Sequence, residues 1–448
     1  MTKSLLELAE RLGGKPFGVT DQSCTGFALD SREVKPGDLF ICVVGENVDG
    51  HDYAATALAH GAVACLATRA IDGPHILVKD LPDALAAMGR SFRKEFTGPV
   101  VGITGSAGKS STKEFVAAAL SPLGEILKTE GNRNTELTAP LLWVEADAAR
   151  HKAAVVEMGM RGFGQIAHLC SFSLPTHGLI TNIGWAHVEL VNGREGIAKA
   201  KSELFDALPA GGEAFWWGED EYSATLRQHA GQRPGFTFGF GPQNDCAITA
   251  YEMTSLQSCR VTCQVAGQQV ELEVPATGRH MAINAAAALL VAHRLGVSLS
   301  DAARAIEGVK LPPMRMEVRP HGNGQVLLDT YNASPPSMIA ALETLAESSV
   351  PGRKIAILGE MRELGPYSAE GHAAVGKAIK QLSLSEVLFI GPDTVPMLVA
   401  AEGGKAAVMS ASLDDARFLL QNLLPGDLVL LKASRALALE TLLEEAHA

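Results

Sequence analysis

The feature that most constrains this chain is Gly105-Ser106-Ala107-Gly108-Lys109-Ser110-Ser111. It follows an apolar, β-branched run, Pro99 to Thr104, that reads as a buried strand, and it precedes a stretch from Thr112 to Leu120 that reads as a helix. Strand, glycine-rich turn, Lys-Ser and helix make a phosphate-cradling arrangement. Two glycines let the backbone curl so that successive N–H groups point at phosphate oxygens, and the helix N-terminus adds partial positive charge. Lys109 is then the group that reaches the outer phosphates, and the Ser110 hydroxyl is the group for Mg²⁺. The strict spacing asks for glycine where Ile103 stands, with Gly102 one place early. A tight glycine turn carrying an incidental surface lysine is the alternative reading.

The rest of the composition narrows the class. A length of 448 residues suggests two to four domains, and 47% apolar with 20% charged residues is a globular balance. The net charge of −12 and the lack of a basic stripe argue against a nucleic-acid substrate. Seven cysteines are scattered, and their one close pair, Cys259 and Cys263, is weak as a zinc site without a second pair, so free thiols and a reducing cytoplasm are expected. The first 14 residues read as an amphipathic helix broken by Lys3, Glu7, Glu10 and Arg11 rather than as a signal peptide, and no run reaches membrane-spanning length.

Three segments follow in order. Residues 1–80 read as a small α/β unit, with polar turns at Asp30 to Asp38 and Asp49 to Asp52 around a buried strand Leu39 to Val44. Residues 81–313 hold the glycine-rich loop in a P-loop-like parallel sheet. There, Ala153 to Glu157 is a strand ending in an acid placed where a Mg²⁺-nucleotide site needs one, and Gly178 to Ile183 is a strand ending before His187. Arg194 to Leu208 reads as a helix whose Lys199, Lys201 and Glu203 look like a solvated face. Phe236 to Pro275 alternates as a small antiparallel sheet, and Leu311-Pro312-Pro313 reads as a linker. Residues 314–448 alternate strand and helix as a doubly wound, Rossmann-like parallel sheet, with Ala436 to Ala446 as a closing helix. The expected class is therefore α/β, in three domains.

With these segments in order, the sequence resembles the Mur ligase family across essentially its whole length. The resemblance rests on Asp30-Ser31-Arg32, the Thr104-to-Lys109 loop, Gly131-Asn132-x-Asn134, Glu157-Met158-Gly159, Thr181-Asn182 through His187, and Ala200-Lys201-x-Glu203-Leu204. Further along come Asn284, Met314-Arg315-Met316-Glu317, Asp329-x-Tyr331-Asn332-Ala333-Ser334-Pro335 and Lys432-x-Ser434-Arg435. Tyr331 to Pro335 and Leu358 to Gly365 look like the dipeptide-adding branch, and the Asp-Asn-Pro-Arg motif of the diaminopimelate-adding branch is not found.

That resemblance implies an ATP-dependent amide ligase of peptidoglycan precursor synthesis. Its partners would be a UDP-N-acetylmuramoyl-tripeptide and D-alanyl-D-alanine, in the cytoplasm, with the chain as a monomer. It implies that residues 1–80 hold the UDP end through Ser31 and Arg32 and that 81–313 binds ATP through Gly105, Ser106, Ala107, Gly108, Lys109, Ser110, Ser111 and Asn284. It also implies that 314–448 adds Arg315 and Asp329 to the nucleotide and Asn332 and Ser334 to the substrate, with Asn134 and Thr135 as further substrate contacts. Two Mg²⁺ sites are implied, on Ser110, Glu157, His187 and a carbamylated Lys201; Lys109, His187, Lys201 and Arg315 are the implied catalytic set. The chain departs from the family at Ala107 and Met281, where asparagine is usual. Two other readings stay open. A nucleotide-dependent switch needs only the loop and an acid and leaves His187 and Lys201 unexplained. A folylpolyglutamate synthase begins near its nucleotide loop, which the first 80 residues here do not match.

Overall fold

The structure is a computed structural model that describes residues 2–45 and 47–444. The chain packs as two compact units, Met1–Gly102 with Glu125–Met158 and Gln165–Thr176, and Ile103–Gly124 with Gly159–Gly164 and His177–Ala448.

In the first unit, helix Leu5–Arg11 begins at Ser4, whose hydroxyl accepts from the backbone N–H groups of Leu6 and Glu7. A five-stranded sheet runs in the order Lys15–Phe17, His75–Leu77, Ala64–Ala67, Asp38–Ile41, Gly26–Ala28. Its pairs are parallel except the first. The strand expected to reach Val44 stops at Ile41, because from Cys42 the chain turns into an irregular segment. Helix Leu81–Arg93 is capped by Asp80, with Pro82 in its first turn. It ends at a buried Arg93 whose guanidinium donates to the carbonyls of Ser173, Phe96 and Leu174, so each of its three nitrogens has a partner. Strand His151–Glu157 pairs in parallel with Glu125–Lys128.

The chain passes into the second unit within strand Val100–Thr104, buried at all five positions. The helix after the loop starts at Lys109 and runs to Leu120, three residues ahead of the Thr112 start expected from sequence. Gly108 takes φ 78° as its N-cap, so the Lys-Ser pair lies inside the first turn. Strands His177–Ile180, Glu213–Trp217, Gly235–Gly239 and Cys246–Ser255 run parallel to their neighbours, and Ser258–Val265 and Gln268–Val274 then add antiparallel. The alternating segment is thus an extension of the parallel sheet rather than a separate one. The Ala-rich helix Arg279–Arg294 packs against Lys109–Leu120, its small buried side chains allowing close approach.

The last part of the second unit is a six-stranded sheet in the order Glu317–His321, Gly324–Leu328, Leu428–Lys432, Lys354–Gly359, Glu386–Ile390, Ala407–Ala411. All pairs but the first are parallel. Leu428–Lys432, last in the chain, slots between the strands that come first and second among the parallel ones. Its Val429 and Leu431 pack with Val326, Leu328, Ile355 and Ile357 of the two flanking strands and with Ala416 and Leu420 in one apolar core. The closing helix expected from Ala436 is instead two 3₁₀ turns, Arg435–Leu437 and Leu439–Leu443, divided by Ala438 in a left-handed conformation; the rest of that expected helix, from residue 445, lies outside the described residues.

Candidate active site

The glycine-rich loop is held from below by the chain that follows strand His177–Ile180. The Ser106 N–H donates to Asn182 O at 3.0 Å, and the Ala107 N–H to Asn182 Oδ1 at 3.0 Å. The Ala107 carbonyl accepts from Thr181 Oγ1 (2.6 Å) and Asn182 Nδ2 (3.0 Å). The Gly184 N–H closes onto Ser106 Oγ at 2.8 Å. Position 107 is therefore used through its backbone, which any residue supplies. Gly105 sits at φ 151° where a Cβ would collide with Thr181 Oγ1, and a Cβ at Gly108 would come within 3.1 Å of Asn284 Oδ1. Gly105 is required by close approach, and Gly108 by its left-handed conformation. Asn284 is buried beside the loop, its Nδ2 3.9 Å from the sulfur of Met281.

Around this loop the second unit gathers several of the expected residues. Lys109 Nζ donates to Gly105 O at 2.8 Å, and Arg315 Nη2 donates to Ser110 Oγ at 3.0 Å while its guanidinium lies 4.0 Å over the Tyr331 ring. Lys201 is only 2% exposed. Burial, with the Lys109 charge adding to it, holds its amine well below the usual lysine range. The solvated face expected of its helix is thus wrong for Lys201: the same helix buries Ala198, Ala200 and Leu204, and Lys201 shares that side. His187 has φ 63°, a conformation rare outside glycine, and its Nδ1 lies 2.8 Å from Glu363 Oε2. His187 beside it, and secondarily the Arg161 charge, hold the Glu363 carboxyl below its usual range.

Asp329 ends the Gly324–Leu328 strand and pairs with Lys432 Nζ at 2.5 Å; that lysine, 2% exposed, also donates to Asn332 O at 3.0 Å. Asn332 Oδ1 accepts from the Ala333 N–H, and Ser334 opens helix Pro335–Glu347. Five residues of the expected set belong to the first unit. Arg32 is largely exposed and paired with Asp30 at 2.6 Å; Ser31 is buried, its carbonyl 2.8 Å from His60 Nδ1. Thr135 Oγ1 faces Thr138 Oγ1 at 3.0 Å. Asn134 Nδ2 donates to Glu157 Oε1 at 2.8 Å, while the buried Glu157 Oε2 has no hydrogen-bond partner. A buried carboxylate oxygen with an open lone pair, at the carboxyl end of a strand, is a cation-holding group. Among the described residues no cluster of three or more His, Cys, Asp or Glu is arranged to hold a metal by itself.

Four positioning residues were not anticipated. Asp220, buried, takes the Ile183 N–H on Oδ2 at 2.7 Å and the Tyr222 N–H on Oδ1 at 2.9 Å, so it fixes the start of the segment leading to His187. His280, half-buried, lies one helical turn before Asn284, and desolvation depresses its imidazole to about 4, against the opposing pull of Asp329. Lys432 and Glu363 lie inside motifs that carried the family resemblance, yet nothing local assigned them a role.

The Mur ligase middle-domain model matches residues 103–292, the Mur ligase glutamate-ligase domain model 314–435, and the Mur ligase family catalytic-domain model 24–93. A UDP-N-acetylmuramoyl-tripeptide–D-alanyl-D-alanine ligase from Synechocystis is 35% identical over 430 residues, covering 94% of this chain and 91% of its own. A crystal structure of MurF from Acinetobacter baumannii superposes with a TM-score of 0.89 at 29% identity, covering 99% of this chain and 98% of that one. MurF ligase from Thermotoga maritima, solved in complex with ADP, gives a TM-score of 0.80 at 31% identity over 93% of this chain and 96% of its own. The chain belongs to the Mur ligase family.

Proposed function

We propose that this chain is the ATP-dependent ligase that joins D-alanyl-D-alanine to a UDP-N-acetylmuramoyl-tripeptide in peptidoglycan precursor synthesis. The carrying observation is near-full-length similarity to relatives of that name, together with the Lys109, Ser110 and Arg315 grouping at the loop. A carboxylate is a poor electrophile because its leaving group would be oxide. The terminal carboxylate of the tripeptide therefore attacks the γ-phosphorus of ATP, releasing ADP and leaving an acyl phosphate. The dipeptide amine then attacks the acyl carbon, the C–N bond forms, and inorganic phosphate leaves with the electrons of the broken C–O bond, the amine losing its protons to solvent. The protein's task is positioning and charge compensation. Lys109 and the backbone N–H groups at the start of its helix serve the phosphates, the Ser106 and Ala107 N–H groups being held by Asn182; Arg315 serves the transferring group, Asn284 the adenine and Asp329 the ribose. Ser31 and Arg32 serve the UDP end; Asn134, Thr135, Asn332 and Ser334 serve the remainder of the substrate.

The donor set suits Mg²⁺, which takes few protein oxygens and leaves the rest of its shell to phosphate and water. Ser110 and Glu157 are each assigned to Mg²⁺, and the open Oε2 of Glu157 suits a cation. His187 and Lys201 are assigned to a second ion. When bound, the ions neutralise charge on the transferring phosphoryl group. A lysine ammonium is the wrong partner for a cation. Desolvation disfavours the charge of the buried Lys201 amine, and its neutral form would add CO₂ and lose a proton to become a carbamate, an oxygen donor. We further read residues 1–80, 81–313 and 314–448 as UDP-substrate, ATP and acceptor domains, and the chain as a cytoplasmic monomer. The seven buried free thiols agree with a reducing compartment, and no helix among the described residues is long and apolar enough to cross a membrane.

The test is an acceptor panel with phosphate release as readout. D-alanyl-D-alanine should be far better than diaminopimelate, L-lysine or D-glutamate; equal turnover with any single amino acid overturns the acceptor assignment.

A further inference from the structure

We propose that Glu363 is the residue that receives the ammonium group of the acceptor dipeptide, with His372 as the residue that positions it. This rests on the ligase reading above. In a doubly wound sheet, ligands bind outside the carboxyl ends of the parallel strands. Here the segment after strand Lys354–Gly359 lies between those after its neighbours and is tied down along its length. The Glu360 carbonyl accepts from the Ser434 N–H at 3.1 Å, and its carboxylate accepts from the Asp393 N–H at 3.2 Å. The Met361 N–H donates to His372 Nε2 at 3.1 Å, and the Arg362 N–H donates to Ser434 Oγ at 2.8 Å. His372 is fully buried. A backbone N–H can only donate, so Nε2 carries the lone pair and Nδ1 the proton, which points at Ser368 O 2.8 Å away. Both ring nitrogens are committed, and the tautomer is fixed by the fold.

All this support delivers one side chain. Glu363 follows in a left-handed conformation, φ 62°, facing His187, itself at φ 63°. Strained non-glycine residues of this kind persist where the surroundings over-determine them, and they cluster at functional sites. Two nearby acids are spent internally, Glu360 on Arg362 at 2.6 Å and Asp329 on Lys432. Glu363, although its Oε2 meets His187, keeps an open face, with its side chain 41% exposed. The acceptor arrives with its α-amino group largely protonated, since such groups titrate near 8; a half-open carboxylate holds that ammonium in place, and the neutral amine left when a proton passes to solvent is then already oriented for attack.

The experiment measures KM for each of the three substrates by phosphate release. Glu363→Gln should raise KM for D-alanyl-D-alanine by about tenfold or more, as expected for losing a charge-assisted hydrogen bond, and leave KM for ATP and for the UDP-tripeptide unchanged. His372→Phe, which keeps the volume but not the acceptor nitrogen, should show the same one-substrate split. His372→Gln, whose amide oxygen can take the Met361 N–H, should restore it. A Glu363→Gln enzyme with wild-type acceptor KM, or one in which all three KM values rise together, overturns the assignment. So does a His372→Gln variant as impaired as His372→Phe. Wild-type protein that releases no phosphate with D-alanyl-D-alanine overturns the ligase reading itself.

Discussion

Lys109 and Lys201 lie in the same unit, and their charges interact, yet they serve opposite ends of the electrostatic problem. Lys109 must stay charged to hold phosphate; Lys201 is pushed toward neutrality. Lys109→Ala should lower turnover by at least about a hundredfold, the scale seen when one donor to developing charge is removed, with an unchanged circular-dichroism spectrum; near-normal phosphate release would remove the loop from the chemistry. Lys201→Ala should be nearly inactive and partly rescued by short carboxylic acids that refill the anionic position, whereas Lys199→Ala should be mild. Activity of Lys201→Ala in bicarbonate-depleted buffer equal to wild type would exclude the carbamate. His280 makes a prediction about stability. Its folded-state value of about 4 lies below the 6.5 of an unfolded histidine, so between the two only the unfolded chain takes the proton. Stability is therefore lost as pH falls through that window, by up to about 3 kcal/mol from this group. Urea unfolding of His280→Gln should show a shallower loss than wild type between pH 6.5 and 4; an identical slope counts against it.

Among the elements, the segments between strand and helix decide most. Asp220 shows how: one carboxylate caps two backbone N–H groups and so sets the course of the chain toward His187. Asp220→Asn leaves one of those N–H groups facing an amide NH₂, and should cost about 1–3 kcal/mol in urea unfolding and reduce activity; full stability with full activity would show the cap to be dispensable. The linker Leu311-Pro312-Pro313 leads into Met314 and Met316, both left-handed, at φ 58° and 55°, on either side of Arg315. The Met314 N–H is held by Glu317 Oε2 at 2.9 Å. Left-handed non-glycine residues bracketing an arginine that touches Ser110 are the natural place for a conformational step on nucleotide binding. Amide exchange at Met314 to Met316 should slow when an ATP analogue and the UDP-tripeptide are added; unchanged exchange would place the hinge elsewhere.

At the scale of the whole molecule, all seven cysteines are buried and free, with none more than 3% exposed. A thiol reagent should titrate less than one group in the native protein and all seven after unfolding, and a fast-reacting native thiol would contradict the packing.

The sequence by itself determined the α/β class, the buried strand before Gly105, the alternation of the last segment and the ordered motifs that mark the family, because apolar periodicity and glycine requirements are local and survive without coordinates. The glycine-rich loop pointed to Lys109 and Ser110, and the family resemblance to Arg315. Tertiary structure alone decided the rest. Lys201 reads as solvated on its helix and is buried, since exposure depends on what packs against a face. The segment from Phe236 alternates like an independent sheet yet joins the parallel one, since pairing partners are chosen at long range. His187 meets Glu363 across more than a hundred and fifty residues of chain (roughly the size of a whole domain), and no spacing rule reaches so far. Their pairing is set by where two strand ends fall in the folded unit, which only packing can fix.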